Sequence, residues 1–369
     1  MSKRKKLLIS ILGLISLCIL ASGISSLSNK NLLIPTEVAE TIPPLDKARL
    51  AETLHLKAEL GEEVWLGWSQ LEIPILLWTE ETSFLVGYPV QPEGWGEVKE
   101  DTFNDNPYYR QDTEDHQNFA VLIDGRWVAS LATKSEMDYF IINQFMDMLP
   151  APINQIIPYR LFIQPTEAHI SGVLHETFHV YQTLMAPDKL GLAEDRYNLD
   201  ADYWDIDENM RDDWKEEVEL LVQALEAESD AETIIFITQF LEQREQRREN
   251  HDLDNDLINF ERLIEWEEGV AKYVEIAIWK QAFSSPNYLP LPEISQDPDF
   301  NDYKTFEQRW NQEIMTMKNQ ANQEGDTRFY YTGMAQSFLL DRLNPDWKTS
   351  IMEENVWLEK LLQEAIGNN

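Results

Sequence analysis

Cysteine is almost absent from this chain. One occurs in 369 residues, Cys18, so no intrachain disulfide can form, and stability must come from the core and any bound metal. Histidine is scarce too, at six residues, which makes any close grouping of imidazoles informative. Basic residues are the third deficit: 30 Lys and Arg stand against 66 Asp and Glu, a formal net charge of −36. A surface of that sign repels phosphate backbones and anionic headgroups. Nucleic acid is therefore a poor partner, and basic peptides or divalent cations are better ones. Glycine numbers only 14, and no internal repeat or extended low-complexity segment is present, which argues against fibrous and linker-like classes.

What is present suffices for a packed protein. An apolar fraction of 43% with 12 tryptophans, over this length, supports two to three structural units with their own cores. The first charges are Lys3, Arg4, Lys5 and Lys6, followed by a nearly unbroken apolar run over residues 7–27. Such a head and run read as an export signal or a transmembrane anchor. The run is about long enough to span a bilayer, while Ala21-Ser22-Gly23 offers small residues for a signal peptidase. Either way the basic cluster stays in the cytoplasm and the rest lies outside it, an extracytoplasmic location, membrane-anchored or secreted after cleavage. Leu17, not a small residue, precedes Cys18, which argues against lipidation there.

Residues 29–44 read as a juxtamembrane spacer and 46–63 as a helix. Short apolar runs over 73–78 and 83–88 read as strands. Asp124-Gly125, between apolar runs ending at 123 and resuming at 126, signals a two-residue hairpin over 119–131. Residues 92–116 are polar and read as loop, 135–149 as a helix capped by Ser135, and 157–163 as a strand. A helix then starts with Thr166 as its cap and runs to Met185, ended by Pro187. Gly172 within it suggests close packing against another backbone. Further helices are expected over 214–228, 231–249, 257–283, 303–323, 330–343 and 347–366, with Pro286, Pro290, Pro292 and Pro298 marking a linker. The expected division is 1–28 signal peptide or N-terminal membrane anchor, 29–63 spacer and helix, 64–165 mixed α/β subdomain, 166–283 helical core, and 284–369 Pro-rich linker and helical C-terminal subdomain.

The most informative residues are His175-Glu176-Thr177-Phe178-His179, an H-E-x-x-H sequence. On a helix the two imidazoles sit one turn apart on one face, a spacing that binds one Zn²⁺ with the glutamate beside it as general base. A catalytic zinc site wants a third protein ligand and an open position for water. Among the acids of Glu265-Trp266-Glu267-Glu268-Gly269, Glu268 is the favoured candidate. Its carboxylate can point with Ile264 and Lys272, whereas Glu267 lies about 100° around the helix, and Gly269 lets a neighbour approach closely. Other metal signals are weaker. Asp252, Asp254 and Asp256 open like a Ca²⁺-binding EF-hand loop, but Leu257 and Leu263 stand where glycine and glutamate are needed. The acids of 200–208 could offer oxygens to Ca²⁺ but lack a recognisable spacing, and read as a solvated loop.

H-E-x-x-H followed by the distant Glu268-Gly269-x-Ala271-x-Tyr273 resembles the gluzincin branch of zinc metallopeptidases. The resemblance covers residues 166–343. It implies His175, His179 and Glu268 as zinc ligands and Glu176 as the base that activates water for attack on a peptide or protein substrate. The implied fold is α+β and zincin-like, with a small mixed β-sheet, two zinc-bearing helices and a mostly helical C-terminal part. A tyrosine of Tyr330-Tyr331 would steady the oxyanion, with Tyr331 preferred and His169 a competitor that reads more readily as structural. The 119–131 hairpin would bind substrate as an added strand. One departure is Lys272, where several such enzymes carry the acid that orients a zinc histidine; Glu275 is the substitute on nearly the same face. Two other readings stay open: a zinc-dependent hydrolase of non-peptide amides or esters, and a non-catalytic zinc-site binding or sensing domain.

Overall fold

The computed structural model describes residues 29, 38–113, 118–151, 153–204 and 209–367. It is an α+β structure with a small mixed six-stranded sheet and a mostly helical C-terminal part. Helix α1 (Pro44–Val64) precedes strands β1 (Ile75–Trp78), β2 (Thr82–Val86), β3 (Gly96–Glu97), β4 (Tyr109–Asp112), β5 (Phe119–Ile123) and β6 (Arg126–Ala132). The strand order is β3-β4-β2-β1-β6-β5, so β5 forms one edge. Only β1 and β6 run parallel, with Ile75 opposite Ala129; the other pairs are antiparallel. The β5–β6 turn follows its sequence signal: Asp124 and Gly125 have φ of 43° and 78°, and Ile123 pairs with Arg126, which matches the strand twist.

The longer helices of the remainder are α2 (Lys134–Met148), α3 (Thr166–Met185), α4 (Pro187–Glu194), α5 (Met210–Glu226), α6 (Asp230–Asn250), α7 (Asn255–Ile264), α8 (Val270–Ser284), α9 (Phe306–Gln320), α10 (Thr327–Leu343) and α11 (Leu358–Gly367). Helix α3 is central. It packs on β6 and β5 on one side and on α1 and α8 on the other, and nearly every side chain from Thr166 to Thr183 is buried. A helix covered on all sides must be apolar or internally satisfied all round, and here the motif residues are among several buried polar side chains, with Glu167, His169 and Gln182.

Several expectations need correction. The 92–116 stretch holds β3 and β4, which its polarity concealed: β4 adds to β2 near the sheet margin and buries only Tyr109 fully. Residues 159–162 form a 3₁₀ turn rather than a strand; Leu161 is 79% exposed, so the apolar run serves no sheet face. Thr133, not Ser135, caps α2 by accepting from the Glu136 amide. Thr166 does not cap α3; its hydroxyl donates to Asp297 at 2.7 Å. No backbone crowds Gly172, whose nearest prospective neighbour is the Leu131 side chain. The 347–366 helix begins only at Leu358, because buried Lys189 draws the carbonyls of Ile351, Glu353 and Val356 onto its ammonium. Asp254 is the side-chain cap of α7, which accounts for one acid of the EF-hand-like run. The proline-rich stretch is docked onto the body: Asp297 accepts from Arg49 and Thr166, and Glu52 accepts from Tyr288, Tyr303 and the Leu291 amide.

Among the described residues no helix is long and apolar enough to cross a membrane. This corrects the expectation of a transmembrane helix; the run over 7–27 that prompted it lies outside the described residues, as does the Asp205 to Glu208 part of the acidic loop.

Candidate metal centre

Two elements bring the site together. Helix α3 presents His175 and His179 one turn apart. Opposite it, α7 and α8 are joined by a π-helical turn, Glu265–Gly269, that carries Glu268. A π turn inserts a residue and re-aims those around it. It is held by a very close crossing with α10: a Cβ on Gly269 would stand 2.5 Å from Gly333 Cα, and a Cβ on Gly333 would stand 2.2 Å from the Glu265 carbonyl oxygen. Glycine is required at both positions because nothing larger fits.

The result is a buried His175, His179 and Glu268 group that could hold a metal ion. The two Nε2 atoms are 3.0 Å apart, and Glu268 Oε2 is 3.3 Å from each. Four-coordinate ligand atoms about 2.0–2.2 Å from one ion stand about 3.3–3.6 Å from one another, so little adjustment is needed. The tautomers fit as well. Gln182 donates its amide to the carbonyls of Trp266 and Glu267, both at 3.0 Å, which turns Oε1 towards His179 Nδ1 at 3.0 Å. That ring nitrogen must then carry a proton, leaving the Nε2 lone pair for a ligand. His175 Nδ1 stands 3.5 Å from Glu275 Oε2, too far for a good hydrogen bond, but the nearby negative charge favours a proton on that nitrogen. Two lone pairs and a carboxylate converging in a buried space repel one another unless a cation, or a proton, lies between them. Burial alone would push His175 down, but Glu268, Glu275 and Glu176 outweigh it and hold its pKa at about 10. Burial would likewise raise Glu268, yet the two imidazoles win and keep it well below the usual carboxylate range.

The surrounding residues complete the arrangement. Glu275 stands beside His175, and both Lys272 and Arg309 bond its carboxylate, at 2.8 and 2.9 Å. Tyr197 donates to Glu268 Oε1 at 3.2 Å. Tyr330, rather than the preferred Tyr331, faces the centre: its ring lies nearly parallel to His175 at 6.3 Å and its hydroxyl reaches Glu268. Tyr331 is turned to Glu313 and under Lys272. Glu176 borders the same cleft, with Oε2 buried and without a hydrogen-bond partner among the described residues. Burial raises its pKa to about 7, against the lowering pull of His175 and His179. His169 donates Nε2 to the Ala132 carbonyl at 2.9 Å, and burial keeps it neutral, with a pKa of about 4.

A cleft of about 350 Å³ opens beside His175 and Glu176, walled by α2, the first half of α3, and residues of α8, α9 and α10. Phe119, first residue of edge strand β5, lies 4.4 Å from the His179 ring. The residues missed from sequence are Gln182 and Tyr197. Gln182 had a usable signal, since it follows His179 by three residues on one face, and a signal for Tyr330 over Tyr331 lies in its place three residues before Gly333, on the face turned to the candidate ligand helix. No family model, curated protein or solved structure matches this chain.

Proposed function

We propose that the protein is a zinc-dependent peptidase of gluzincin type. The observation that carries this is Glu176. A binding or sensing site needs three ligands and has no use for a fourth group, a carboxylate buried and unpartnered among the described residues, at the edge of an open cleft. Zn²⁺ suits two imidazoles and a carboxylate, and when bound it supplies a Lewis acid that acidifies water and polarises a carbonyl. Glu176 Oε2 accepts the proton of the attacking water and returns it to the leaving amine. Tyr330 has a hydroxyl beside the ligands and donates to the developing oxyanion. His175 and His179 stay fixed in their Nδ1–H forms by Glu275 and Gln182. The free edge of β5 adds the substrate backbone as a further strand. On the sequence reading of residues 1–27, substrates are met outside the cytoplasm.

Glu176→Gln tests the proposal. The variant keeps one bound zinc, measured by elemental analysis, and loses at least about 100-fold in peptide hydrolysis. Undiminished hydrolysis would sink the mechanism. Zinc binding with no peptide cleaved by the unsubstituted protein would favour a non-peptide amide or ester substrate, or a binding role.

A further inference from the structure

Helix α3 carries three residues of one face into the cleft: His169, Gly172 and Glu176 all line it, at the i, i+3 and i+7 spacing of a single stripe. Glu176 is the proposed base. Gly172 leaves open space, since a Cβ there would meet only Leu131 Cδ2, at 3.7 Å. His169 has a polar atom without a partner. Its Nε2–H is committed to the Ala132 carbonyl at 2.9 Å, so Nδ1 bears a lone pair, and that atom is buried with no hydrogen-bond partner among the described residues. An unsatisfied buried acceptor is unfavourable, and a donor arriving with a ligand relieves it.

From these placements we infer that the cleft is a side-chain pocket for a tyrosine-like residue of the substrate, whose hydroxyl donates to His169 Nδ1. The inference rests on the peptidase reading for the nature of the substrate. Length selects a long side chain, because His169 lies seven residues, about 10 Å along the helix axis, from Glu176. Serine or threonine would fall short. Apolar walls select an aromatic body: Leu131, Met137, Ile141 and Ala168 line the same cleft. A neutral donor is selected over lysine or arginine because a buried cation needs a carboxylate of its own, whereas the His169 lone pair is uncharged and the nearby Asp138 is already held by Lys134 at 2.6 Å. A pocket that hydrogen-bonds a hydroxyl discriminates strongly against the analogue lacking it, because its own polar group is then left unpaired.

The test uses the full-length chain carrying Glu176→Gln, with Zn²⁺ present, and fluorescein-labelled alanine peptides containing a single Tyr, Phe or Lys. Binding is read by fluorescence anisotropy, which needs no turnover. The Tyr peptide is expected to bind about tenfold more tightly than the Phe peptide. Adding His169→Phe brings the ratio to about one while affinity for the Phe peptide holds. Equal binding of Tyr and Phe before that substitution, or a ratio that survives it, overturns the inference. Tightest binding of the Lys peptide overturns the neutral donor. If His169→Phe does not fold, Gly172→Leu decides, since it fills the pocket: both aromatic peptides then lose affinity and an all-alanine peptide does not, and unchanged aromatic binding overturns the pocket. Hydrolysis by the unsubstituted chain is measured separately. If no peptide is cleaved, the peptidase reading falls, while the binding ratio still decides the pocket.

Discussion

An imidazole binds a cation only through a nitrogen that carries no proton, so whatever fixes the proton on one ring nitrogen prepares the other. For His179 that task falls to Gln182, whose amide is itself oriented by two backbone carbonyls of the π turn. Gln182→Ala is expected to weaken Zn²⁺ binding about 10–100-fold, measured by competition with a chromophoric chelator; unchanged affinity would show that the tautomer needs no such support. Tyr330 and Tyr331 separate on the same logic of contact. Tyr330→Phe should lower kcat about 100-fold with little change in KM, and Tyr331→Phe should leave kcat nearly intact. The reverse ranking would return the oxyanion role to Tyr331. The H-E-x-x-H group was legible in sequence because i and i+4 neighbours need no tertiary knowledge. Gln182 and Glu275 act through pairs that only packing creates, and the choice between adjacent tyrosines depends on the phase of α10, which its apolar pattern left ambiguous.

At the scale of elements, the position of Glu268 depends on a helix crossing. Gly269 and Gly333 meet so closely that any side chain displaces backbone. Gly333→Ala should therefore separate α10 from the π turn, cost about 2–4 kcal/mol of stability, and weaken metal binding, because Glu268 and Tyr330 flank that crossing. Chemical denaturation together with zinc titration checks both effects; loss of stability with full metal affinity would show that the crossing does not position Glu268. The long apolar helices and the Asp-Gly hairpin could be read directly, since each repeats a local period over many residues. The short β3 and β4 could not, because a strand of two to four residues at a sheet margin is defined by its partner rather than by its own alternation. The expected strand near residue 160 failed for the complementary reason: an apolar run with no partner makes no sheet.

For the molecule as a whole, the net charge of −36 reads as an acidic surface, but it hides where the cations went. The arginines of Arg244-Glu245-Gln246-Arg247-Arg248 do not lie on the solvated face of α6. Instead Arg244, Arg247 and Arg248 are buried against Glu217, Glu261, Glu265 and Glu359, tying α5, α6, α7, the π turn and α11 together behind the metal centre. The network makes stability depend on pH with a definite sign. Burial would raise Glu261, but Arg247 and Arg248 prevail and lower it from 4.5 to about 2. A carboxylate depressed in the folded state contributes stability that is fully present above its unfolded pKa and is lost as pH falls through the folded one. The loss thus falls between about pH 4.5 and pH 2, with a magnitude of about 3 kcal/mol for this group. Glu261→Gln should flatten the fall in unfolding free energy over that window. It should also destabilise the protein at pH 7, because Arg247 and Arg248 each lose one of two counter-charges and keep only Glu217 and Glu359. Urea unfolding at pH 7, 4 and 2.5 measures both, and an unchanged acid slope in the variant would mean that the network does not set the acid limit of the fold.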